Sequence, residues 1–243
     1  FAAAGHVPER FTLTSSRAVY GEGVWRNADG ALIQPGQRSK RMLDEAQWDF
    51  PGAVALPFCA GFTPPNPTSV YGATKLAQEH ILNAWALSFG VDVAILRLQN
   101  VYGAGQSLDN PYTGIVSLFS RLAKAGKSIP LYEDGLMRRD FVYISDVARA
   151  VLAATREPSA VGHVFDIGYG QPSTISDLAT TVARHYGAPA PHVCGKYRNG
   201  DVRHAGCDIE NSRQLGWVPE VTMEEGVAQL CNWIDVRLSG ETV

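Results

Sequence analysis

Hydrophobic and polar positions alternate most clearly near the start of the chain. Phe11 and Leu13 interleave with threonines, and the run ends in Ser15-Ser16, which predicts a strand over 10–15. Residues 68–89 change period. Val70, Leu76, Ala77, Ile81, Leu82, Trp85 and Leu87 recur at helical spacing before Gly90, a glycine suited to end a helix. The next run, 91–96, is apolar except for Asp92, as expected of a strand covered on both faces of a parallel sheet. Strand, helix and strand make a βαβ unit. Helical patterning returns over 113–125, 145–156, 175–186 and 223–238, and strand-like runs cover 128–132, 140–144 and 163–167. Between 22 and 67 the pairs Asp29-Gly30, Pro35-Gly36, Pro51-Gly52 and Pro64-Pro65 spread turn chemistry along one long connection, with room for a short hairpin or helix. The expected class is α/β with a more irregular second half.

Composition narrows the function. Apolar residues make up 45% of 243 and charged ones 19%, an ordinary globular balance. A net charge of -3 offers no broad field for duplex nucleic acid or anionic lipid, so neither is an expected partner and any anion must be caught locally. Cys59, Cys194, Cys207 and Cys231 lie far apart without a Cys-x-x-Cys pair, which favours a reducing, cytoplasmic setting over a disulfide framework. The six histidines show no ligand spacing, and no metal is expected. The longest mostly apolar stretch, 52–62, is too short to span a bilayer and contains Pro57. The chain opens on Phe1 and holds no Gly-x-Gly-x-x-Gly after a strand, so it reads as part of something longer.

Tyr71 and Lys75 stand four apart on the best-defined helix and share a face. A lone Tyr-x-x-x-Lys pair also arises on solvated helix faces. Its company changes the picture: Ser15-Ser16 precede Val19-Tyr20-Gly21, Tyr71 sits in Ser69-Val70-Tyr71-Gly72, and Arg97-Leu98-Gln99-Asn100-Val101-Tyr102-Gly103 follows the next strand. Further on come Arg138-Arg139-Asp140-Phe141-Val142-Tyr143-Ile144 and Arg198-Asn199-Gly200-Asp201. With these motifs in this order, essentially the whole chain resembles the extended branch of the short-chain dehydrogenase/reductase superfamily, the NAD-dependent nucleotide-sugar epimerases and dehydratases.

That resemblance implies a Rossmann-like doubly wound parallel sheet, with the family's N-terminal strands and glycine-rich loop outside this chain, and a smaller α/β substrate domain. Residues 1–105 would belong to the cofactor domain and 106–243 mainly to the substrate domain, with about 140–170 returning to the sheet. It implies NAD as cofactor, met by Ser15, Tyr71, Lys75 and Leu98. It makes Ser16 the hydroxyl that holds the substrate oxygen, Tyr71 the acid/base and Lys75 its tuning cation. A phenol serves as a base near neutral pH only with such help, and one cation about 4 Å away supplies about 4 kcal/mol at an effective dielectric near 20. A nucleotide-diphosphate sugar would be held by Asn100, Arg139 and Arg198, with Leu131 and Tyr132 against the pyrimidine. Tyr132 also reads as core or edge filler, and the arginines as a solvated face.

Dehydratases of the family carry an acidic pair after the catalytic hydroxyl residue; here Arg17 and Ala18 stand there. Neither exchanges protons near neutral pH as a carboxyl pair would, which points to epimerisation: the C4 hydroxyl gives up its proton as hydride leaves C4 for NAD, the ketone turns, and hydride returns to its other face. The loop 105–114, with Thr113 as a possible helix cap, and the long insertion before the Tyr71 helix resemble the dTDP-L-rhamnose 4-epimerase branch. A dTDP-6-deoxyhexose is therefore the expected substrate. A UDP-hexose 4-epimerase, a related reductase and an inactive epimerase-like binding protein stand as alternatives. The resemblance also implies a homodimer through the Tyr71 helix, whose apolar residues occupy more than one side.

Overall fold

The computed structural model describes residues 2–108 and 114–239. Its strands in chain order are β1 (Arg10–Ser16), β2 (Trp25–Asn27), β3 (Leu32–Ile33), β4 (Ala53–Ala55), β5 (Asp92–Leu98), β6 (Asn100–Tyr102), β7 (Pro130–Leu131), β8 (Arg138–Arg139), β9 (Phe141–Tyr143), β10 (His163–Ile167), β11 (Ser173–Thr174), β12 (His192–Val193) and β13 (His204–Ala205). The helices are α1 (Lys40–Asp44), α2 (Val70–Phe89), α3 (Ile115–Lys124), α4 (Ile144–Arg156), α5 (Ile175–Tyr186) and α6 (Met223–Ser239).

Strands β1, β5 and β10 form a parallel sheet with β5 in the middle. Ser16 and Ile167 both lie opposite Leu98, so the three strands end level. Strand β5 is buried on both faces, as its apolar run predicts. Ala94 and Leu96 pack towards α4 with Val147, Ala150 and Phe165, while Val93 and Ile95 join Ala86 of α2. Helix α2 is fixed at both ends: the Ser69 hydroxyl accepts the Gly72 N–H at 3.0 Å, and Gly90 closes the helix in the left-handed region at φ 66°.

A second core lies among α3, α5 and α6, where Phe119, Leu178, Val182, Leu230 and Ile234 are buried together. The long connection holds more than the one short element expected. The antiparallel sheet β3-β2-β4 and the helix α1 are both present, with Trp25 and Leu43 buried. The strand expected over 128–132 shrinks to Pro130–Leu131, because Ile129 and Leu131 are drawn into the second core while Pro130 lacks a ladder donor. The proposed Thr113 cap lies outside the described residues, and Gly114 occupies the cap position of α3. Among the described residues no helix is long and apolar enough to cross a membrane, and no group of three or more His, Cys, Asp or Glu is placed to hold a metal.

Candidate active site

The level ends of the parallel strands create a corner with α2. Ser16 closes β1 and caps the 3-10 turn Arg17–Tyr20, its Oγ accepting the Ala18 N–H at 3.2 Å. That bond uses a lone pair and leaves the hydroxyl proton free to donate. The same turn supports α2 at very short range. A Cβ on Gly72 would lie 2.4 Å from the Ala18 carbonyl oxygen, and one on Gly21, at φ 61°, would lie 2.2 Å from the Asn66 oxygen. Only glycine admits this approach. It sets the first turn of α2 directly on the turn that follows Ser16, and Tyr71, beside Gly72, is carried with it.

Tyr71 is 57% exposed, and among the described residues its hydroxyl makes no hydrogen bond. Lys75, one turn on, donates from Nζ to the Thr14 carbonyl at 3.1 Å, two residues before Ser16. The ammonium keeps two further protons for other acceptors. Leu98, half-buried, ends the central strand opposite Ser16.

Ser15 faces the other way. It is buried, its hydroxyl donates to Glu79 Oε1, and it is not free to meet a cofactor as expected. Glu79, one turn beyond Lys75 on α2, also receives both Nε and Nη2 of Arg97 at 3.1 and 2.7 Å. Arg97 lies 4.7 Å over the Tyr20 ring, and Tyr20 donates to Asp166 of β10 at 2.9 Å. Burial pushes the Asp166 carboxyl up to about 6. One buried polar chain therefore ties β1, α2, β5 and β10 together under the corner. The sequence reading missed Glu79 and Asp166; the i+4 step from Lys75 to Glu79 was the one available signal.

The residues expected to hold substrate separate into two groups. Asn100 donates its N–H to the Asp140 carbonyl at 2.9 Å and accepts Arg17 Nε on Oδ1 at 2.8 Å, which places it beside the corner. Arg139 is buried and donates to the carbonyls of Arg138, Arg203 and Val202 at 2.7, 3.2 and 2.6 Å, so much of its donor capacity supports main chain. Tyr132 and Arg198 form the other group. The guanidinium stands 5.4 Å from the ring centroid, and both line a cavity of about 300 Å³ with Leu118, Phe119, Leu122 and Ile175. Leu131 does not line it: its side chain is buried in the second core.

Behind this lip lies an ionic cluster that no local sequence signal marks. Arg38 donates to both oxygens of Glu133 at 2.8 Å and to the Asp201 carbonyl at 2.8 Å. Arg203 binds Asp134 at 2.8 Å through two nitrogens, Asp49 at 3.0 and 3.1 Å, and Glu133 at 3.1 Å. Glu133, a non-glycine residue at φ 53°, holds the turn after Tyr132, and its N–H donates to the Lys196 carbonyl at 2.7 Å. Charges from the long connection thus fix both sides of the cavity.

A profile of the NAD dependent epimerase/dehydratase family matches residues 2–168. The chain is 59% identical over 236 residues to a dTDP-L-rhamnose 4-epimerase of Burkholderia thailandensis, covering 96% of this chain and 65% of that protein. Its fold is similar to the UDP-glucose 4-epimerase of Thermotoga maritima solved with UDP-glucose, at TM-score 0.76 and 27% identity over 95% of this chain and 64% of that one. It is also similar to the Thermus thermophilus UDP-glucose 4-epimerase solved in complex with NAD, at TM-score 0.70 and 26% identity, covering 93% and 64%. The chain therefore spans 64–65% of the length of these relatives.

Proposed function

The chain belongs to the NAD dependent epimerase/dehydratase family, and on that premise we propose that the protein is a nucleotide-sugar 4-epimerase acting on a dTDP-linked 6-deoxyhexose such as dTDP-L-rhamnose. The observation that carries the reaction class is the corner itself. The Ser16 hydroxyl has a free proton, the Lys75 ammonium is anchored to the Thr14 carbonyl two residues before it, the exposed Tyr71 stands one turn before Lys75 on α2, and the residues after the hydroxyl are Arg17 and Ala18 rather than two carboxyl groups. The identity to the Burkholderia protein supports the choice of sugar.

Tyr71 takes the C4 hydroxyl proton and later returns it. Ser16 donates to the same oxygen and orients it, and Lys75 places positive charge where the phenol becomes negative. The residues present fit the nicotinamide side of NAD: Leu98 ends β5 level with Ser16, and Lys75 has protons left for a ribose hydroxyl. NAD, when bound, would supply the hydride acceptor and donor for the sugar carbon. The cavity between Tyr132 and Arg198 would take the base, whose flat apolar face suits an aromatic ring and a guanidinium. Exposed apolar residues of α2, Ile81 and Leu87 among them, support a homodimer.

The test is turnover by the full-length protein with NAD, following the C4 epimer of dTDP-L-rhamnose and of UDP-glucose. Tyr71→Phe is expected to lower kcat by about 10²–10⁴-fold, the usual worth of positioned acid–base catalysis. Faster turnover of UDP-glucose would move the substrate assignment, and stoichiometric use of reduced cofactor would make the protein a reductase. Undiminished conversion by Tyr71→Phe would overturn the mechanism.

A further inference from the structure

Arg17 occupies the position directly after Ser16, and its hydrogen bonding differs from that of Arg139. It is half-buried, and its Nε donates to Asn100 Oδ1 at 2.8 Å. Asn100 is in turn fixed through its N–H to the Asp140 carbonyl, next in the chain to Arg139. The guanidinium is therefore held in place by its inner edge. Among the described residues its two Nη groups have no hydrogen-bond partner, whereas both Nη groups of Arg139 already donate to carbonyls.

The charges that act on Arg17 are Arg139, the Asp201 carboxylate, the Tyr71 phenol and Glu22. Burial, and then the like charge of Arg139, pull the guanidinium down to about 9, which still leaves it protonated near neutral pH. An anchored fork with unused donors, close enough to feel Tyr71, is a group waiting for acceptor oxygens. A guanidinium offers donors only and takes no proton, so it can orient a sugar oxygen and stabilise negative charge developing there without acting as a second base. This is the property that distinguishes it from a carboxyl pair at the same place.

We propose that Arg17 contacts the substrate: its two Nη groups donate to oxygens of the hexose between Tyr71 and Asn100, holding the sugar while C4 is oxidised and reduced. The hexose is favoured over the diphosphate because Arg17 directly follows Ser16 in the chain and lies within electrostatic reach of Tyr71, the two groups assigned to the reacting carbon. The proposal rests on the sugar-nucleotide reading above.

The experiment compares wild type, Arg17→Met and Arg17→Lys in the full-length protein with NAD. It measures dTDP affinity by calorimetry, and kcat and KM with dTDP-L-rhamnose. Arg17→Met is expected to lower kcat/KM at least tenfold while dTDP, which has no hexose, binds within twofold of wild type; the retained dTDP affinity also reports an intact fold. Arg17→Lys recovers part of the loss. Unchanged kcat/KM in Arg17→Met, or a fall in dTDP affinity parallel to that in kcat/KM, would overturn the assignment to the hexose. Should wild type itself neither bind dTDP nor turn over the sugar nucleotide, the functional reading falls, and Arg17 with it, by a result distinct from either of these.

Discussion

The corner that carries Ser16, Tyr71 and Lys75 and the lip that carries Tyr132 and Arg198 are held by opposite means. At the corner, main chain does most of the positioning. Three parallel strands end in register, α2 is capped at both ends, and Gly72 lets the helix rest on the Ala18 carbonyl. The polar chain beneath it, from Ser15 through Glu79 and Arg97 and on through Tyr20 to Asp166, reinforces elements that backbone ladders already define. At the lip, β7 and β12 are two residues each, and the turn after Tyr132 passes through Glu133 at φ 53°. Arg38, Glu133 and Arg203 hold it, all nearly excluded from water. Regular elements tolerate the loss of a side chain because their backbone bonds remain. A lip built from buried charges does not, because each partner removed leaves an opposite charge stranded in low dielectric.

The largest expected effect follows from that asymmetry. Arg203→Met leaves Glu133 to Arg38 alone and takes the guanidinium from Asp134 and Asp49, which are partly exposed, and is expected to cost about 3 kcal/mol, the low end of the range for breaking a buried ion pair from one side. Chemical denaturation of the full-length protein would show it as a lower midpoint, and a shift of under about 1 kcal/mol would mean that the lip is held by packing after all. Gly72→Ala probes the corner instead. Its new methyl, 2.4 Å from the Ala18 oxygen, must push α2 outward at an expected cost of about 1–3 kcal/mol. Because that movement separates Tyr71 from Ser16, kcat is expected to fall while dTDP affinity, read at the remote lip, holds. A parallel loss of both would show that the two regions are not independent.

The same contrast explains what the sequence makes legible. Period-3.6 spacing in 70–89, the apolar run of β5 and the closing Gly90 report local backbone preference, and each appears in the fold. Tyr71 and Lys75 lie on α2, and Ser16 ends β1, another element whose alternation the sequence displays. The lip could not be read in this way. Arg38 and Glu133 are 95 residues apart, and Arg203 and Asp49 are 154 apart. No periodicity encodes a pairing between turns. Ser15 was misjudged for a related reason: strand alternation turns its hydroxyl to the opposite face from Ser16, towards a glutamate on a helix more than sixty residues away. Likewise Arg139 reads as a free cation until the carbonyls of Val202 and Arg203 are placed around it.

The smallest effect is the most discriminating test of how the lip is charged. Four carboxylates, Glu22, Asp49, Glu133 and Asp134, pair with two guanidiniums, Arg38 and Arg203, and the charge of Arg139 acts on Glu22 as well. At Glu22 burial outweighs those cations. Burial pushes its carboxyl up to about 7, although both oxygens accept the Arg203 N–H and Arg38 Nε stands 3.6 Å away. In the unfolded chain it titrates near the ordinary glutamate value of about 4.3. Between those values the folded state holds the extra proton, so this residue's contribution to stability declines as pH rises through the window and levels off above 7. His204 works in the other sense: burial, and then the Arg203 charge, hold it down to about 4, so the unfolded state takes up protons first and stability is lost on acidification below the ordinary histidine range. Glu22→Gln removes the first titration and leaves the second. Melting temperatures of the variant are therefore expected to rise relative to wild type from pH 5 to 7.5, with no further divergence above that. Asp166 at the corner titrates identically in both proteins and cancels from the difference. A constant offset across the whole range would show that Glu22 stays ionised in the fold, and that the lip balances its charges as fully as the corner satisfies its hydrogen bonds.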